Sequence, residues 1–247
     1  MRSVQENCGL FGKVPHQGDF VCRHLAPEFT ERWHAWLQDG LNVGREQLGD
    51  DWLKLYLNAP IWRFALSPGV CGELAVVGVL IPSVDEVGRY FPLTVAHRGR
   101  HRPWEAYLGG ARWYDQAERL VLRALDEDTG YAELIDGLDA LPPPQFPGWP
   151  AYRLQAPADG GKGAWAVPQP PVPAERLLPG LIAQSHERWP GGYSLWWTEG
   201  SERVEPCMLI CAGLPDAGRV AAMLDGDWQR WNWAVQRPVE AGEAGDG

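Results

Sequence analysis

No run in the 247 residues approaches the roughly 18 apolar positions of a membrane-spanning helix. The N-terminal stretch MRSVQENCGLFGK also lacks the apolar core of a secretory signal, so neither membrane insertion nor export is expected. Cysteine is sparse: Cys8, Cys22, Cys71, Cys207 and Cys211 are an odd and scattered set. Such usage fits reduced thiols in the cytoplasm rather than a disulfide framework. Cys207 and Cys211 stand close, but no second Cys or His pair completes a zinc set, and they read as small buried hydrophobes. Basic residues are also short, 22 Lys and Arg against 32 Asp and Glu, for a net charge of −10. A chain of that sign repels phosphate backbones and anionic lipid heads, which argues against nucleic-acid and membrane partners.

Familiar catalytic patterns are missing too. Gly12-Lys13 starts like a phosphate loop, but Asn7 stands where a glycine is needed and Val14 replaces the magnesium-holding hydroxyl. His186-Glu187 starts like a zinc-protease motif, but the second His is absent and Pro190 would break the helix. There is no G-x-S-x-G elbow, no dinucleotide fingerprint and no internal repeat. No catalytic residue, cofactor or metal ligand is assigned on these grounds.

What is present is an ordinary globular composition, 45% hydrophobic, with 14 tryptophans. Residues 9–14 suit a first strand. Residues 27–40 carry a helical stripe, Phe29, Trp33, Trp36 and Leu37, with Gly40 as its stop. Asp50 or Asp51 caps a short helix to Leu57. Residues 62–66 alternate as a half-buried strand, residues 74–81 are apolar throughout like a central strand, and residues 91–96 form a third. Short connections make these an antiparallel meander.

Residues 111–125 and 131–138 read as helices. Residues 142–150 are too rich in proline for either regular structure. Beyond them, strands are expected at 152–155, 164–167, 193–198 and 208–212. Helices are expected at 177–186 and 216–224, the latter capped by Asp216. The expected fold class is α/β or α+β, a mixed, largely antiparallel sheet covered by helices in α/β/α layers. Two lobes are expected: residues 1–141, then the connector 142–150, then 151–235. An acidic tail follows at 236–247.

Two stretches carry the functional signal. Residues 78–94, GVLIPSVDEVGRYFPLT, read as strand, polar excursion, strand, and display Ser83, Asp85, Glu86 and Arg89. Residues 12–23, GKVPHQGDFVCR, offer Lys13, His16, Asp19 and Arg23. The commoner arrangement has Asp19 supporting the turn after Gly18 and Asp85 pairing with Arg89, while Lys13 and Arg23 are solvated. The alternative joins His16, Asp19 and Asp85 into an acid–base or metal set of a small hydrolase or phosphoryl-handling enzyme. A small-ligand sensor between the lobes is a third reading. Trp196 and Trp197 must point to opposite sides of a strand, so one of them, Trp197 being the candidate, offers an exposed protein contact.

These residues resemble a known family. FGKVPHQGDFVCRHL, WRFALSPGVCG, GVLIPSVDEVGRYFPLT, LWWTEG and GLPDAGRVAAMLDGDW look like the TagF family of type VI secretion-associated proteins, in the expected order from residue 11 to 228. The resemblance implies a cytoplasmic accessory protein that represses type VI secretion after translation and is linked to a forkhead-associated scaffold protein. Some members carry a fused PP2C-type phosphatase, which these 247 residues leave no room for, so no phosphatase activity is expected. The family's motifs fall on Gly12, Lys13, Gly18, Asp19, Phe20, Pro82, Ser83, Asp85, Gly88, Arg89, Phe91 and Pro92 as signature positions only.

Overall fold

The computed structural model describes residues 7–126, 128–146 and 189–236. The strands expected at 152–155 and 164–167, the helix at 177–186, part of the proline-rich connector and most of the acidic tail lie outside them.

The apolar run in the middle of the first half forms β4 (Ala75–Ile81), buried at every position. Residues apolar on both sides need cover on both faces, and β4 has it. Its antiparallel neighbours are β3 (Trp62–Leu66) and β5 (Leu93–Gly99). The full sheet has seven strands in the order β2-β1-β5-β4-β3-β6-β7, and every neighbouring pair is antiparallel. Here β1 is Gly9–Gly12, β2 Val21–Arg23, β6 Tyr193–Thr198 and β7 Cys207–Ala212. Strands from both sides of the proline-rich segment therefore join one α+β sheet, with β6 paired to β3.

Period-two alternation sorts the side chains between two cores. One face carries Trp62, Phe64, Leu66, Val76 and Trp196 and packs under α1 (Pro27–Leu48) through Phe29, Trp33 and Leu37. The other carries Ala65, Val77, Val79, Val95 and Leu195. It packs under α3 (Pro103–Gly109), α4 (Ala111–Ala124) and α5 (Tyr131–Ala140) through Trp104, Trp113, Ala117, Val121 and Leu138. The result is helix, sheet, helix. No helix among the described residues is long and apolar enough to cross a membrane.

Four local expectations change. α1 does not stop at Gly40 but runs 22 residues. Gly40 and Gly44 continue its buried stripe, and a Cβ on Gly40 would come within 3.2 Å of Val220. The glycine marks close approach inside the helix, and the stop falls at Gly49, φ 54. Asp51 precedes α2 (Trp52–Leu57) without a side-chain capping bond. β3 is not half-buried, because α4 covers its second face: Arg63 is buried and donates to Glu118 at 2.6 and 2.9 Å and to Asp115 at 3.0 Å. Near the C-terminus, Asp216 does cap, accepting from Gly218 N–H at 2.9 Å. The single helix expected there divides into a 3-10 turn (Ala217–Arg219) and α6 (Ala222–Asp225). α3 has no counterpart in the sequence reading, since seven residues show under two turns of periodicity.

Candidate functional site

The sheet order builds the site. β5 lies between β1 and β4, and its register sets Phe11 opposite Thr94 and Ile81 opposite Leu93. The end of β1, the end of β4 and the start of β5 thus meet at one rim of the sheet. The loop after β1 (residues 13–20) and the loop after β4 (residues 82–92) leave from that rim side by side.

Gly12 allows the first loop to leave tightly. Its φ is 131, and a Cβ there would lie 2.1 Å from Pro92 O. Ser83 then ties the loops: its hydroxyl donates to Lys13 O at 2.8 Å. Tyr56 of α2 clamps the same residue, donating to Ser83 O at 2.8 Å and accepting from Ser83 N–H at 3.0 Å.

Asp85 is the centre of the second loop. Its side chain is wholly enclosed. Oδ1 accepts the backbone N–H of Arg89 at 2.7 Å and of Val87 at 3.1 Å, closing a tight turn in which Gly88 takes φ 82. Oδ2 accepts Arg89 Nε at 2.7 Å and the ammonium of Lys13. Burial alone would raise this carboxyl, but the bonds from Lys13 and Arg89 outweigh it and hold Asp85 well below the usual carboxylate range. The remaining arm of the Arg89 guanidinium donates to Gly18 O in the first loop. One carboxylate, one ammonium and one guanidinium thereby lock two loops whose residues are far apart in sequence.

Lys13 is consequently not a solvated charge; it is 7% exposed. Asp85 pairs with Arg89 across the excursion, as the spacing predicts, and Lys13 completes the group. What the lock presents is apolar and acidic. Val87 stands out at the tip, 67% exposed, and Phe20 is 41% exposed. Phe20 packs on Phe91 (4.6 Å between ring centroids), Phe11 (5.4 Å) and His34 of α1 (5.4 Å, stacked). Asp19 and Glu86 are exposed beside them. Arg89 keeps part of its side chain in solvent while its head group is committed.

The other predicted residues lie elsewhere or face differently. His16 directs Nε2 to Asp126 O at 3.0 Å. Arg23 is exposed on β2 beside Tyr131 of α5, whose hydrogen bond raises the guanidinium further. The set His16, Asp19 and Asp85 is not assembled: His16 turns to α4's end, Asp19 is exposed and both oxygens of Asp85 are occupied. Trp197 is not an exposed contact but 9% exposed, under Tyr107 (5.2 Å) and Tyr114 (4.8 Å). Trp196 is buried on the opposite face against Trp33 and Phe64. The helix layers cover both sides, which alternation within one strand does not reveal.

Among the described residues no group of three or more His, Cys, Asp or Glu side chains is arranged to hold a metal. An apolar cavity of about 60 Å³ lies beneath the second loop, lined by Tyr56, Pro82, Pro92, Trp36, Trp62 and Met223 among others. It lies by α1 and α2, not at the proline-rich joint. Tyr56, His34 and Val87 were not legible as site residues. Nothing in the spacing of Tyr56 and Ser83 points to their contact, and Val87 is an isolated valine in a polar run.

Residues 9–141, which include both loops, match the family described as TagF N-terminal domain, Type VI secretion system-associated. The crystal structure of PA0076 from Pseudomonas aeruginosa PAO1 is similar over 95% of this chain and 99% of its own, with 34% identity and a TM-score of 0.77. No curated protein matches the sequence.

Proposed function

The chain belongs to the TagF family of type VI secretion-associated proteins, and from that premise we propose that it represses type VI secretion after translation by binding a secretion-system protein, without catalysing a reaction. The partner in this reading is the forkhead-associated scaffold protein, met in the cytoplasm. The docking face is the pair of loops at the sheet rim.

One observation carries the reading. The ion group Lys13–Asp85–Arg89 is spent on holding backbone: it fixes two loops to each other and to Gly18 O. A group so saturated is suited to shaping a surface more than to moving protons. The surface it shapes has an exposed valine, an exposed phenylalanine and two exposed carboxylates, a mix common in protein contacts. Rigid loops bind with less loss of entropy than mobile ones.

The test is co-purification from cells with an intact secretion system. Wild-type chain is expected to carry the scaffold protein with it, and Val87→Arg combined with Asp19→Lys is expected to lose it. Equal recovery with both chains would remove the loops from the account.

A further inference from the structure

The two edges of the sheet differ. β2 is three residues long and runs into Arg23 and then His24, at φ 53. A short, charged, kinked edge discourages further pairing. β7, at the other edge, is Cys-Met-Leu-Ile-Cys-Ala. It holds no charge and no proline. Such an edge is a template for another strand.

Its outward backbone groups can be assigned. Ser67 N–H donates to Tyr193 O at 2.9 Å, so the backbone groups of Tyr193, Leu195 and Trp197 turn towards β3. Gly213 N–H donates to Gly192 O at 2.9 Å, continuing the β6–β7 ladder in the same phase. Cys207, Leu209 and Cys211 therefore turn inward to β6, and Met208, Ile210 and Ala212 turn N–H and C=O away from the sheet. Among the described residues no strand pairs with them. The same residues place their side chains on one face. Met208 and Ile210 are exposed there, 41% and 50%.

We propose that β7 docks a second copy of this chain, β7 against β7 and antiparallel, about a two-fold axis at Ile210. Outward residues must oppose outward residues. Setting Ile210 against the second copy's Ile210 places Met208 against Ala212 and Ala212 against Met208. Every outward N–H and C=O of both strands then pairs. A slip of two residues leaves one outward residue of each strand unmatched. The strand is thus its own complement, as a two-fold interface requires. The chain's net charge of −10 does not oppose this locally, because the strand is uncharged. The residues before β7 (Glu202, Arg203, Glu205) and after it (Asp216, Arg219) each carry both signs, so antiparallel pairing sets no block of like charge against another.

Sedimentation equilibrium of the full chain, from about 1 µM to about 1 mM, the span in which weak association appears, tests the proposal. The mass is expected to rise from one chain towards two. Ile210→Lys is expected to hold it at one chain, with circular dichroism and melting temperature unchanged; should that variant lose its fold, Met208→Glu on the same face replaces it. In a background of Cys22→Ser and Cys207→Ser, Ile210→Cys treated with diamide, which takes up the two electrons, is expected to yield a covalent dimer linked through position 210. A single-chain mass over the whole range, or a dimer that survives both face substitutions, would overturn the proposal. So would a monomer whose β7 pairs instead with an extended strand of another protein.

Discussion

Lys13 and Asp85, 72 residues apart in the chain, form an ion pair enclosed by protein, with 7% and 4% of each residue exposed. A pair of this kind is costly to break from one side, because the remaining charge stays buried without its counterpart. Asp85→Asn is expected to lower unfolding free energy by about 3–5 kcal/mol, measured by urea denaturation. Lys13→Met leaves Asp85 with Arg89 and two backbone donors, so its cost is expected to be smaller, about 1–3 kcal/mol. The double variant is expected to cost less than the two singles added together.

The charge on Arg89 follows the same logic. Its guanidinium clasps Asp85 and Gly18 O, so Arg89→Glu sets two carboxylates against each other. We expect a clear fall in melting temperature, with both loops loosened. Arg89 is thus read as architectural first, and its reversal alone does not test the docking face.

Stability should fall with acid in two separate steps. Burial and the neighbouring His97 hold His101 down to about 4, from an ordinary 6.5. A folded value below the unfolded one means that protonation favours the unfolded chain. This contribution is present above pH 6.5 and is lost as pH falls from there through 4. Asp85 is held below its ordinary 3.8, so its contribution is present above about that pH and is lost in stronger acid. Melting temperature against pH is expected to flatten between 6.5 and 4 in His101→Gln, and below about 4 in Asp85→Asn.

Two glycines in the loops should respond differently to alanine. Gly12 and Gly88 both have positive φ, 131 and 82. A Cβ on Gly12 would strike Pro92 O, whereas one on Gly88 meets nothing within 4 Å. Gly12→Ala is expected to cost about 4 kcal/mol, in the range reserved for specific steric conflicts. Gly88→Ala is expected to cost about 1 kcal/mol, the strain of a left-handed backbone alone. Thermal denaturation of both variants checks the contrast.

Much of this architecture was legible from pattern. The run at residues 74–81, the tandem strands around it and the strong helix at 111–124 follow from period and burial on both faces. The two loops stood out as polar excursions between strands, and the Asp85–Arg89 pairing follows from their spacing. Long-range contacts were not legible. That β1 neighbours β5, which brings Lys13 to Asp85, is a topological fact that neither loop encodes locally. Arg63 and Trp197 look half-exposed in a single strand and are buried because α3 and α4 cover that face. Gly40 reads as a stop and serves as a contact, because its packing partner Val220 lies in the last part of the chain.

The central claim is that this protein acts by presenting a rigid two-loop face to a secretion-system protein. Calorimetric titration of purified chain into the forkhead-associated scaffold protein tests it most directly, with wild type beside Val87→Arg, whose exposed side chain contributes little to the fold. The account predicts measurable binding by wild type and a loss of about tenfold or more in Val87→Arg, at unchanged melting temperature. Equal affinity for the two chains, or no heat of binding from wild type, would contradict it.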